Sequence, residues 1–221
     1  MSMGMTSAPP VPAKATPSWR LVSVMTAAGA LAGLLIVSTY ELTLPRIQHH
    51  QAQVMADAIQ EVLEAPARYD TLYASDGRLV KRLPAGADVR RAERIFLGYD
   101  RTGKRIGFAM SATETGFQDP VTVMFGYDAA ARQVIAMRVI ASKETPGLGD
   151  KIVSDSTFVN AFQAVAVPIE GVKKDRATGA AREVVMITGA TISSRAVIRI
   201  INDAIAKWRP LMDAYHEEAT P

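Results

Sequence analysis

The residues best equipped for chemistry form a short run near the end of the chain, Thr188-Gly189-Ala190-Thr191-Ile192-Ser193-Ser194. Residues 183–187 before it read as a strand. Residues 193–208 after it are helical in pattern, with Val197, Ile201, Ile205 and Trp208 along one stripe. The run is therefore a strand–turn–helix junction lined with hydroxyls. Gly189 lets the backbone turn and lets a ligand come close. A helix beginning here offers unpaired N–H groups and the positive end of its dipole, which suits a phosphate, and the Thr191 hydroxyl sits at that end. The same residues have a plainer use, because Thr191 or Ser193 can simply cap the helix. Local physics leaves both readings open.

A second candidate is Glu144-Thr145-Pro146-Gly147-Leu148-Gly149-Asp150-Lys151. Pro and Gly punctuate ordinary turns, so a plain loop is one reading. The other is a ligand seat: Gly147 and Gly149 permit close backbone approach, and Leu148 between them offers one apolar side chain to a flat ring. Other chemistries find little support. With no cysteine among 221 residues, thiol catalysis and cysteine-ligated metal centres are excluded. His49 and His50 lack further ligands at metal-site spacing and read as surface residues. A hydrolase using Thr191 or Ser193 lacks a credible base, since His216 falls in a polar tail. No GxGxxG or GxxxxGK run occurs.

The elements that must position these segments follow from hydrophobic period and turn signals. Asp76-Gly77 marks a turn, and Thr102-Gly103 joins strands 94–99 and 105–109 as a hairpin. Strands 121–127 and 133–141 form a second pair, and residues 156–165 a short helix. Strands in the middle with helices at the ends predict an α+β domain around a mainly antiparallel sheet, with flanking helices.

Residues 21–40 carry no charge and, as a helix, cover about 30 Å, the hydrocarbon thickness of a bilayer. A cleavable signal peptide would have a shorter apolar core, so the sequence predicts a single transmembrane helix. Gly29 and Gly33 have the four-residue spacing of close-packed membrane helices. Lys14 and Arg20 on one flank against Glu41 and Arg46 on the other predict a cytoplasmic N-terminus and a periplasmic C-terminal domain. The expected organisation is a disordered leader at 1–19, a membrane helix at 20–41, a connecting helix at 42–65 opened by Pro45, a domain at 66–210 and a polar tail at 211–221. A net charge of +3, spread as Arg90-Arg91, Lys104-Arg105, Lys173-Lys174 and Arg176, reads as a solvated surface rather than a nucleic-acid footprint.

The ETPGLGD loop followed about forty residues later by TGATISS resembles the FMN-binding domain of the Rnf and Nqr respiratory complexes. The resemblance covers residues 45–210, and the length and compact membrane-to-domain segment are more similar to the G subunit of Rnf than to the C subunit of the sodium-pumping NADH:quinone reductase. It implies FMN bound covalently, through a phosphoester, to Thr191. Thr188, Gly189, Ala190, Ser193, Ser194, Glu144, Thr145, Gly147, Leu148 and Gly149 complete the cofactor-binding set that it implies. No catalytic or metal-ligating residue is implied. The implied role is an electron-transfer subunit, not a stand-alone catalyst, of an ion-translocating ferredoxin:NAD⁺ oxidoreductase in a bacterial inner membrane. Other membrane and iron–sulfur subunits are its implied partners, with a flavin transferase for maturation. The alternatives are the equivalent subunit of the quinone reductase and a non-redox, membrane-anchored flavin-binding regulatory module.

Overall fold

The computed structural model describes residues 17–89 and 91–215. The expected leader up to residue 16, Lys14, Arg90 and the tail from His216 onward lie outside them. The chain divides into two units, residues 1–51 and 52–221.

A single helix, α1 (Ser18–Val62), runs through the end of the first unit into the start of the second. Where the sequence predicts a connecting helix opened by Pro45, Pro45 instead lies inside the helix. A proline there removes one donor, the one that would serve the Glu41 carbonyl, and the turns on either side persist. Thr39 and Thr43 also donate their hydroxyls back to Leu35 and Thr39 carbonyls, at 2.7 and 2.9 Å. The apolar part is exposed along its length, and the helix is long and apolar enough to cross a membrane.

The second unit is built on a seven-stranded antiparallel sheet. Its strands are β1 (Arg68–Ser75), β2 (Arg78–Val80), β3 (Arg94–Tyr99), β4 (Arg105–Thr115), β5 (Pro120–Asp128), β6 (Gln133–Ala141) and β7 (Val165–Ala166), in the spatial order β2-β1-β3-β4-β5-β6-β7. Alternation at period two sorts the side chains onto two faces. On one face Ile95, Leu97, Phe108, Met110, Val123 and Phe125 pack with the long last helix, α4 (Thr191–Asp213). On the other, Phe96, Ala109 and Met124 meet the end of α1 through Ala58, Ile59, Val62 and Leu63. The close approach on that side needs Gly126, because a Cβ there would overlap the Val62 carbonyl. Burying each large aliphatic of α4, such as Val197, Ile200, Ile201 and Ile205, contributes about 1.5–3 kcal/mol.

Two short helices, α2 (Lys151–Ser154) and α3 (Ser156–Asn160), follow β6. The helix expected over 156–165 is thus shorter, and its last residue, Val165, opens β7. Two strands, β8 (Glu170–Val172) and β9 (Glu183–Val185), form a small separate sheet and run parallel, with Val172 opposite Val185. Helix α4 passes Pro210 and ends at Asp213 rather than giving way to a polar tail at 211. Met212 is buried, and Arg209 pairs with Asp213 one turn on, which holds the extra turn.

Candidate functional site

The two segments singled out by sequence are brought together by one carboxylate. Glu144 follows β6 and is only 5% exposed. Its Oε1 accepts from the backbone N–H of Phe117 at 2.7 Å and of Gln118 at 3.2 Å, and its Oε2 accepts from the Ser193 hydroxyl at 2.9 Å. A buried carboxylate is costly unless its lone pairs are filled, and here three donors from two other stretches fill them. Thr145 strengthens the junction by donating to Gln118 Oε1 at 2.6 Å.

The two glycines of the loop serve different ends. Gly149 is buried, and the space that its missing side chain leaves is taken by the Glu144 carboxylate and the Ser193 hydroxyl. Gly147 is exposed, has φ +75°, and would meet nothing within 4 Å if given a Cβ. Gly147 therefore answers a backbone requirement beside open space, whereas Gly149 answers a packing requirement. Leu148 between them is 53% exposed. It is one of three exposed large apolar side chains next to the contacts of Glu144, the others being Phe117 (62%) and Ile192 (53%).

At the second segment, β9 leads into the turn at Thr188 and Gly189, with Gly189 at φ +87°. Ala190 occupies the cap position of α4 and Thr191 is the first helical residue, with no side-chain cap bond. The capping alternative raised by the sequence does not hold, because each hydroxyl is otherwise engaged or unpartnered. Ser193 is committed to Glu144. Ser194 is buried, accepts from the Ile187 N–H at 3.1 Å and donates to the Ala190 carbonyl at 2.9 Å, tying strand exit to helix start. The Thr191 hydroxyl has no partner among the described residues, and neither do the backbone N–H groups of Thr191, Ile192 and Ser193. An uncapped start on a 23-residue helix keeps its partial positive charge available to an anion.

A cavity of about 450 Å³ opens at this point, lined by Lys173, Lys174, Asp175, Met186, Thr188 and Thr191. A neighbouring, more apolar cavity of about 710 Å³ shares Lys174, Met186 and Thr188 and adds Phe158, Val185 and Lys151. Sequence reasoning placed the two lysines on the solvated surface, and it passed over Phe117 and Gln118 entirely. A further cavity of about 480 Å³, around Glu93, Glu114, Asp203 and Lys207, lies between the sheet and α4 and includes none of these residues. Upstream of β9, hydrogen bonds from the Thr178 hydroxyl and then from the backbone N–H of Thr178 hold the Glu183 carboxyl below the usual glutamate range.

Known proteins resemble this chain. Residues 116–206 match the FMN-binding domain family, a span that opens at the Glu144-contacting loop and closes within α4. The G subunit of the ion-translocating oxidoreductase complex of Aliivibrio fischeri is 31% identical over 173 residues, covering 77% of this chain and 80% of the relative. The chain belongs to the family of G subunits of ion-translocating oxidoreductase complexes. A second relative, the G subunit of the Na⁺-translocating ferredoxin:NAD⁺ oxidoreductase complex of Acetobacterium woodii, is 26% identical over 87% of this chain and 92% of its own length. Among solved structures, the C subunit of the Na⁺-translocating NADH-quinone reductase from Parabacteroides distasonis superposes with a TM-score of 0.53 at 18% identity, over 68% of this chain and 80% of that one. That likeness concerns the fold.

The residues of this G subunit fit an FMN phosphate on three counts. They offer an unpartnered hydroxyl, helix-end N–H donors without acceptors, and two lysines in the adjoining cavity. Among the described residues one buried acceptor has no partner, Asp150 Oδ1 in the glycine loop.

Proposed function

We propose that this G subunit is the membrane-anchored electron-transfer flavoprotein of an Rnf-type ferredoxin:NAD⁺ oxidoreductase, with FMN esterified through its phosphate to Thr191. The observation that carries the reading is the unpartnered Thr191 hydroxyl on the uncapped N-terminus of α4, inside the span that matches the FMN-binding domain family. When bound, FMN supplies reversible one- and two-electron chemistry. The protein contributes position and electrostatics. Thr191 Oγ would form the ester bond to phosphorus as the phosphoanhydride bond of an activated flavin donor breaks, its proton passing to a flavin transferase and the remaining phosphate group leaving with the rest of the donor. Thr191 is thereby a tether and takes no part in turnover. The helix-end N–H groups of Thr191, Ile192 and Ser193 would hold the phosphate, and the exposed Leu148, Ile192 and Phe117 would offer apolar surface to the flavin ring.

Burial argues against the neighbouring hydroxyls as acceptors, since Ser193 and Ser194 are each buried and hydrogen-bonded. The apolar part of α1 serves as the membrane anchor, and the charge bias of the sequence supports a periplasmic second unit. Partners are the other membrane and iron–sulfur subunits of the complex, because this chain has no cysteine with which to hold a cluster of its own.

The test is Thr191→Val, nearly isosteric but unable to form the ester. Co-expressed with a flavin transferase and examined by intact mass and peptide mapping, the variant is expected to lose the FMN adduct completely. With no cap bond to lose, its stability changes by no more than about 0.5 kcal/mol. An adduct that persists on Thr191→Val, or that maps to Thr188, Ser193 or Ser194 in the unmutated protein, overturns the assignment.

A further inference from the structure

We infer that Lys173 and Lys174 form a built-in counter-charge for the phosphate on Thr191, held beside it by the small parallel sheet. The inference rests on the tether proposed above and adds the residues that recognise its anionic group.

The placement is set by backbone pairing. Strand β8 ends at Val172, opposite Val185 of β9, and the Met186 N–H continues the ladder by donating to the Val172 carbonyl at 2.9 Å. Lys173 therefore leaves its strand beside Met186, two residues before Thr188. A single 3-10 turn (Lys174–Arg176) then keeps Lys174 at the same place instead of carrying the chain away. Both lysines line the cavity that Thr188 and Thr191 line, and Lys174 also borders the larger apolar one. Many surface cations of this chain are spoken for, as in Arg138 with Glu61, Arg182 with Glu170 and Arg199 with Glu114. Lys173 and Lys174 have no carboxylate partner among the described residues. Asp175 is the one acid lining the cavity, so two cations outweigh one anion there before the helix dipole is counted.

The chemistry follows from charge. A phosphodiester keeps one negative charge at neutral pH, and its formation passes through a more highly charged phosphoryl arrangement. Ammonium groups lining the cavity that Thr191 lines stabilise both states, with the larger effect on the developing charge. A parallel pair of three-residue strands, too short to stabilise much alone, makes sense as a bracket for these two side chains.

The experiment uses the full chain and a purified flavin transferase. The rate of FMN attachment is measured for the unmutated protein, Lys174→Gln, Lys174→Arg and the double variant Lys173→Gln/Lys174→Gln, with circular dichroism as a check of folding. The double variant is expected to lower kcat for attachment by about tenfold or more, and Lys174→Arg to recover most of the loss. The phosphorus NMR resonance of the attached ester is expected to shift in Lys174→Gln, a readout that does not depend on electron transfer. An unchanged kcat and resonance in the double variant overturn the inference. So does a loss confined to KM for the protein, which marks the lysines as a contact for the transferase. Failure of the tether itself looks different, because the unmutated protein then carries no adduct on Thr191.

Discussion

Ser193 donates its hydroxyl to Glu144 at 2.9 Å across 49 positions of chain. The bond joins the start of the last helix to the loop that leaves β6, the strand next to one edge of the sheet. The other oxygen of the same carboxylate holds the turn between β4 and β5. Its strength is expected to show in the contrast between two substitutions. Glu144→Ala strands two backbone N–H groups and a buried hydroxyl, and should cost about 3 kcal/mol in urea denaturation. Glu144→Gln keeps an acceptor for the two N–H groups, and the Ser193 hydroxyl can turn to accept from the new amide. Its cost should be about 1 kcal/mol. Equal losses for the two variants would show that the carboxylate is not the link between these segments.

Gly147 and Gly149 are expected to respond differently to added side chains. At Gly147 the positive φ costs a β-branched residue about 1–3 kcal/mol, but there is open space for it. Gly147→Val should fold and carry FMN with an altered absorbance spectrum or a slower reduction. Gly149→Ala drives a Cβ into Glu144 and Ser193, so its main effect should be a lower thermal midpoint. A folded Gly147→Val protein with the native spectrum and reduction rate would remove the loop from the flavin site.

Topology is open to a direct measurement. Arg20 and Lys14 precede the apolar stretch, and Glu41 follows it. Reporters fused after Pro221 should be active when they require the periplasm and silent when they require the cytoplasm. The opposite pattern would reverse the orientation.

Much of the fold was legible because apolar periodicity marks it. Strand β6 begins and ends where the alternation of Gln133–Ala141 places it, and the hairpin at Thr102-Gly103 forms as its turn residues predict. Strand β4 runs six residues past the expected end, to Thr115, because Ser111, Thr113 and Thr115 face solvent and give no apolar signal. Strand β9 falls inside the strand expected at 183–187, but its partner β8, thirteen residues earlier, carries no local signal of its own. At the candidate site, the sequence singled out two segments that the structure joins through Glu144 and Ser193, but not how their residues divide the contacts. A buried glutamate bonded to a serine 49 positions away cannot be read from spacing, nor can the freedom of Thr191 while its neighbours are engaged. The two lysines were visible, but only the parallel ladder reveals which cavity they line.

The three groups that satisfy Glu144 come from a hairpin turn and from the last helix, and the carboxylate itself comes from a loop between them. Contacts of such long sequence separation close late, once the central strands have paired. If Thr191 is the acceptor proposed above, it is presented in its final surroundings only by a chain whose sheet and last helix have already docked. On the proposed attachment, loading of the prosthetic group would certify completed folding: an unfinished chain would stay colourless, and only a finished protein would enter assembly with its flavin in place.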